Sequence, residues 1–106
     1  MFDEDQELYL SYNAPKSLGD AIASMLRSNP EFAEAFTLAV AKDLWLKSNT
    51  APIVNATGEV SFRSGVLFIQ IFNPSLRANL NAMRQKICNQ LNERMELVKL
   101  REVKFV

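Results

Sequence analysis

The chain has 106 residues, enough for one domain and a short arm. Twelve Lys and Arg balance twelve Asp and Glu, so the average composition excludes a strongly basic nucleic-acid binder and an acidic tail. Histidine is absent and cysteine occurs once, at Cys88. These two facts exclude an imidazole general base, a Ser-His or Cys-His pair, a histidine metal ligand, an internal disulfide and a cysteine zinc cluster.

The N-terminus, Met1-Phe2-Asp3-Glu4-Asp5, is acidic where a secretory signal is basic. The longest apolar run, Val66-Leu67-Phe68-Ile69, is the length of a strand and far short of a membrane span. A cytoplasmic protein with no membrane partner is the expectation. Residues 1–14 carry four acids (Asp3, Glu4, Asp5, Glu7) and no base, with Tyr9, Leu10 and Tyr12 among them. They read as an acidic arm, either frayed or added to the domain as an edge strand, and residues 15–106 read as a single domain.

Ser17 is expected to open a first helix, with Asp20 at the capping-box position. Leu18, Ile22, Met25 and Leu26 then form one apolar face. Asn29-Pro30 supplies the cap and first position of a second helix, expected to run to about Lys47. Phe32, Phe36, Val40 and Leu44 line it at i+4 spacing, and Trp45 ends the apolar face. Residues 48–52 read as a connection. From Glu59 to Arg63 the period changes to two, as in a strand with one wet face.

Ser64-Gly65 supplies a turn into a second strand, Val66 to Phe72. Leu67, Ile69 and Ile71 lie on one face of it and Val66 and Phe68 on the other. Such a strand belongs in the middle of the sheet, and its second face is expected to be covered by the acidic arm or a second subunit. Asn73-Pro74 repeats the capping device and opens one long third helix with a stripe of Leu76, Leu80, Met83, Ile87 and Leu91. Val98, Leu100, Val103 and Phe105 read as a last strand with a bulge at Arg101-Glu102. The order αα-ββ-α-β gives an α+β fold. Its small mixed three-stranded sheet has helices packed on one face, the last strand returning parallel by a crossover.

Catalytic candidates are few. Glu31, Glu34 and Asp43 read as solvated helix surface, the three glycines make no phosphate loop, Cys88 reads as an inert half-buried thiol, and Met25, Met83 and Met95 read as core filler. No cofactor, metal site or enzymatic activity is expected. The charge is sorted along the chain. From residue 60 onward eight bases face three acids, and this excess is cancelled by the acidic start. On the third helix Arg77, Asn81 and Arg84 share a side away from the apolar stripe, with Gln85 and Lys86 beside them. This is a surface that can touch phosphates without reading bases, or else a solvated helix face. Arg77, Asn81, Arg84 and Lys86 are the candidate nucleic-acid contacts.

Several residues recur in a recognisable order. Ser17-Leu18-Gly19 opens the first helix, Trp45 stands near the end of the second, and Thr57 precedes the hairpin. Gly65-Val66-Leu67 enters the second strand, Ser75-Leu76-Arg77 and Leu80 lie on the third helix, and Leu91-Asn92 closes it. This order and spacing resembles the DciA family of small bacterial domains, relatives of the replicative helicase loader or operator, in the short single-domain form seen in Bacteroidetes-type bacteria. The resemblance implies a K-homology-like fold, contact with nucleic acid (single-stranded or double-stranded DNA, or RNA) and a part in loading the replicative helicase at DNA replication. It also makes Trp45, Leu67, Leu76, Leu80 and Asn92 structural, the first four in the core and Asn92 as a hydrogen bonder at the helix C-terminus. No Gly-x-x-Gly loop, the nucleotide-backbone grip of a true K-homology domain, joins the first two helices. The resulting expectation is a non-enzymatic, DciA-like nucleic-acid-binding adaptor. The alternative is a protein-interaction module or homodimer with no nucleic-acid role.

Overall fold

A computed structural model describes residues 15–106 of the chain, so the acidic arm lies outside the described residues. The elements are α1 (Pro15–Ser28), α2 (Pro30–Ser48), α3 (Ala51–Ala56), β1 (Thr57–Arg63), β2 (Val66–Ile71), α4 (Pro74–Ala82), α5 (Arg84–Glu93) and β3 (Glu102–Phe105). The chain divides into two compact units, the first ending at Ala33 and the second spanning Glu34–Val106.

All four prolines stand at the first or second position of a helix: Pro15 in α1, Pro30 in α2, Pro52 in α3 and Pro74 in α4. There the missing amide costs nothing and the fixed φ favours the first turn. The rule explains two departures from the sequence reading. α1 begins at Pro15 rather than Ser17, which therefore sits inside the helix. The stretch read as a connection also opens the short helix α3 at Ala51-Pro52, after Thr50 in extended geometry. The two asparagine caps behave as expected: the Phe32 amide donates to Asn29 Oδ1 and the Leu76 amide to Asn73 Oδ1, both at 3.0 Å. In the first unit, α1 leaves Leu18 and Met25 exposed, so Met25 is not core filler.

In the second unit the sheet order is β1-β2-β3, with β2 central, antiparallel to β1 and parallel to β3. β1 starts two residues earlier than its alternation indicated. The register shifts between Thr57 and Val60, and Gly58 and Glu59 form a bulge that hides the period. One sheet face carries Val60, Leu67, Ile69, Ile71, Val103 and Phe105 into a core shared with Trp45, Leu80, Ile87, Leu91, Met95 and Leu100. The other carries exposed Ser61, Gln70 and Lys104. The α+β class, the αα-ββ-α-β order and the mixed sheet with helices on one face therefore hold, with α3 added and the third helix divided.

Four details differ from the sequence reading. The buried line of α2 is Thr37, Ala41 and Trp45, one step round from the expected Phe32, Phe36, Val40 and Leu44, because the smaller Thr and Ala side chains admit closer approach. The long third helix breaks at Met83, whose φ of −104° and ψ of 8° leave the helical basin and whose amide donates to the Leu80 carbonyl in a tighter turn. Met83 is consequently 49% exposed, outside the core stripe it was assigned to. The last strand is only Glu102–Phe105, and the Val98–Leu100 stretch lies outside the sheet although Leu100 is buried. Within the described residues Val66 is already buried and Phe68 is half-exposed on the second face of β2, with the Arg63 guanidinium 5.6 Å above its ring, while Phe72 falls just past the end of the strand and is exposed.

The β1–β2 turn has positive φ at both Ser64 (53°) and Gly65 (84°), the geometry of a two-residue hairpin whose twist matches its strands. Gly65 also accepts the Arg101 amide at 2.8 Å, and a Cβ there would lie 3.1 Å from Arg101 Cβ. Gly65→Ala is expected to lower stability by about 1–2 kcal/mol, seen as a lower urea midpoint at unchanged m-value.

Candidate nucleic-acid interface

α4 and α5 meet at Met83 and pack against β3, so their side chains are fixed relative to the returning strand. Two asparagines make the attachment. Asn81 Nδ2 donates to the Phe105 carbonyl at 2.8 Å while Asn81 Oδ1 accepts the Phe105 amide at 3.0 Å. Asn92 Nδ2 donates to the Leu100 carbonyl at 2.9 Å while Asn92 Oδ1 accepts the Leu100 amide at 2.7 Å. A primary amide presents one donor and one acceptor with the spacing of a peptide group, so each side chain stands in for a neighbouring strand. Asn92, in the last turn of α5, thus directs its hydrogen bonds to the incoming chain.

Of the four candidate contact residues, Arg77 is half-buried and donates from Nη1 to the Ile71 carbonyl at 2.9 Å, closing the end of β2. Asn81 is half-buried in its bracket on β3. Arg84 is exposed at the start of α5 and donates from Nη1 to the Asn81 carbonyl at 3.1 Å. Lys86 is exposed two residues on, about half a turn round the helix. The structure thus leaves Arg84 and Lys86 exposed, on different sides of the first turn of α5, and gives Arg77 and Asn81 structural bonds.

Arg101 joins Arg84 from the β3 side. The two, with Gln85, Glu102, Val103 and the Cys88 thiol, line a polar hollow of about 270 Å³. Arg101 donates from Nη2 to the Ser64 carbonyl at 3.1 Å, which steers its guanidinium while leaving other donors available. Sequence reading missed Arg101 because the helical residues it meets in this hollow, Arg84, Gln85 and Cys88, are thirteen or more residues away. Among the described residues the only ion pair is Asp43–Lys47 on α2, so no described carboxylate closely pairs the cations of residues 60–106.

Cys88 is buried, deeper than the half-buried position expected, and its thiol donates to the Leu100 carbonyl at 3.8 Å. Burial, and secondarily the Glu102 charge, push its pKa up, which keeps it a neutral thiol. Trp45 is buried with its ring centroid 5.3 Å from that of Phe105. Its Nε1 donates to Thr57 Oγ1 at 3.1 Å, and that hydroxyl donates onward to the Ile53 carbonyl at 2.8 Å. Leu67 and Leu80 are buried and Leu76 packs half-buried against the same core. A second, mainly apolar groove of about 590 Å³ lies between α2, α3 and the α4–α5 pair, lined by Trp45, Ile53, Leu80, Met83, Leu91 and others.

No group of residues suited to hold a metal ion occurs among the described residues, and no described helix is long and apolar enough to cross a membrane. The family described as Dna[CI] antecedent, DciA matches residues 17–105. No curated protein and no solved structure matches the chain.

Removing either asparagine leaves a main-chain donor and acceptor of the returning segment without partners. Asn81→Ala and Asn92→Ala are each expected to cost about 1–3 kcal/mol by urea denaturation, and Asn92→Asp, which keeps the acceptor and loses the donor, less than Asn92→Ala. Cys88 should resist thiol reagents at pH 8 in the folded protein and react at once when unfolded.

Proposed function

The chain belongs to the DciA family, a family of bacterial helicase-loading adaptors, and on that footing we propose that it is a non-enzymatic, nucleic-acid-binding adaptor that assists loading of the replicative helicase. The match over residues 17–105 carries the helicase part of this reading. The nucleic-acid part rests on the exposed cations Arg84 and Arg101 of the polar hollow, in which Glu102 is the only carboxylate among the described residues, and on exposed Lys86 in the same helical turn as Arg84. Arg77 and Asn81 stand behind them and hold the strand ends against which this surface is built.

The chemistry favours phosphate contact over base reading. Guanidinium and ammonium groups at the start of α5 meet a phosphate with charge and hydrogen bonds, and the positive helix end adds to both. No aromatic ring lines the hollow, so bases have nothing there to stack on. α4 and α5 are two consecutive helices joined without glycine, so a nucleotide backbone would be gripped by side chains in place of the main-chain cradle that a Gly-x-x-Gly loop offers. Single-stranded or double-stranded DNA is the proposed ligand, the cytoplasm the proposed location, and no cofactor is needed. The catalytic alternatives fail on the residues themselves, since the sequence holds no histidine and its one cysteine is buried.

A second reading, a protein-interaction module without nucleic acid, is favoured by the apolar groove with Met83 exposed at its edge. The two separate cleanly. Fluorescence anisotropy on labelled single-stranded DNA should show weak binding that falls steeply between about 50 and 200 mM salt. The variant Arg84→Ala/Lys86→Ala should lower the slope of log K against log salt by about 1.4. An unchanged slope removes this face from the reading. Co-elution with the purified replicative helicase of the same organism tests the loading role, and failure to form any complex, with or without DNA, withdraws it.

A further inference from the structure

The two edges of the sheet are treated differently. β3 has the main chain of Phe105, and just before the strand that of Leu100, closed by Asn81 and Asn92. β1, seven residues long, is the opposite edge. The two-residue turn makes Arg63 and Val66 the hydrogen-bonded pair that closes the hairpin. Bonding then alternates along the strand, so Ser61 also bonds to β2, whereas the amides and carbonyls of Val60 and Phe62 point away from the sheet. Among the described residues no hydrogen bond reaches those outward groups.

A row of unpaired main-chain groups is a template for another strand, and the side chains beside it specify which strand fits. Glu59, Ser61 and Arg63 are exposed, and Glu59 and Ser61 line the open sheet face together with Phe68, over which Arg63 lies. An antiparallel copy of β1 centred on Ser61 places Glu59 opposite Arg63 of the copy, and Arg63 opposite its Glu59. The same register sets Val60 opposite Phe62 on the core side. There the outward main-chain groups of both residues form closed hydrogen-bonded pairs. Centring one residue earlier pairs Phe62 with the bulged Gly58 and leaves both charges opposite polar neutral residues. Centring one residue later runs the strand into the turn. One twofold register therefore satisfies the main chain and both charges together, as an isologous contact requires.

We propose that β1 is a self-pairing edge through which two copies of this chain join their sheets into one continuous six-stranded sheet with twofold symmetry. The occupant is a second copy because the strand is complementary to itself in charge: an acid and a base stand symmetrically about Ser61. The contact is separate from the basic surface on α5, so it neither requires nor blocks the DNA contact proposed there.

Light scattering on the full chain over a concentration series tests it. The expected result is a mass rising from 12.0 kDa towards twice that value. Glu59→Arg and Arg63→Glu each set like charges opposite one another twice per dimer and should weaken association roughly tenfold, while Glu59→Arg/Arg63→Glu restores it. Both residues are exposed, so the variants are expected to fold, and circular dichroism confirms it. Hydrogen exchange at the Val60 and Phe62 amides should slow as concentration rises. A monomer at every concentration overturns the proposal. So does a dimer whose strength ignores both single reversals, since that dimer uses another surface, or a double variant no tighter than the singles.

Discussion

The rest of the second unit depends on two side-chain amides. β3 is four residues long, so its bonds to β2 alone are a small anchorage against the conformational entropy of the segment. Asn81 and Asn92 hold it from the other side. They are eleven residues apart, one in α4 and one in α5, about 16 Å of helical rise interrupted only by the tight turn at Met83. Leu100 and Phe105 are five apart, about 16 Å of extended chain running the other way. The helical and extended spacings match, so one side of α4–α5 reaches both ends of the returning segment. The Trp45–Phe105 contact and the Cys88–Leu100 contact then fall into place beneath the two brackets.

That same match shows what the sequence made legible and what it concealed. Prolines and capping asparagines are local signals, each read from two or three adjacent residues, and they placed the starts of α2 and α4 correctly. The apolar alternation of β2 likewise put it in the centre of the sheet. Pro52 carried the same signal as the other prolines, but six residues are too few to display a helical period, so α3 read as a connection. The break at Met83 was concealed because a methionine at i+3 from Leu80 continues an apolar stripe on paper, whatever its backbone does.

The candidate site suffered most from long-range bonds. Asn81, read as a polar residue on an open helix face, bonds a partner twenty-four residues away, and no periodicity announces such a pair. Arg77 is drawn to the end of β2 by a carbonyl that a helical-wheel argument does not contain. Arg84 and Lys86 are exposed, and Arg101 reaches the hollow beside Arg84 through the crossover that the parallel β2–β3 pairing demands.

The charge of the C-terminal half follows a single pattern. Arg77, Arg84, Lys99 and Arg101 each donate to a main-chain carbonyl near the end of a helix or strand or in a turn, Lys99 to those of both Asn92 and Met95. Arg94 donates to the Ser48 hydroxyl. A carbonyl orients a cation without cancelling its charge, whereas a carboxylate does both. These residues are therefore held in place and still positive, which an ordinary salt-bridged surface would not achieve. The formal zero of the whole sequence hides this, because its acids lie mainly elsewhere, in the first fourteen residues and on α2. For contact with a polyanion, the relevant quantity is the charge left unpaired on one surface, and here that surface is built from the same bonds that terminate its helices and strands.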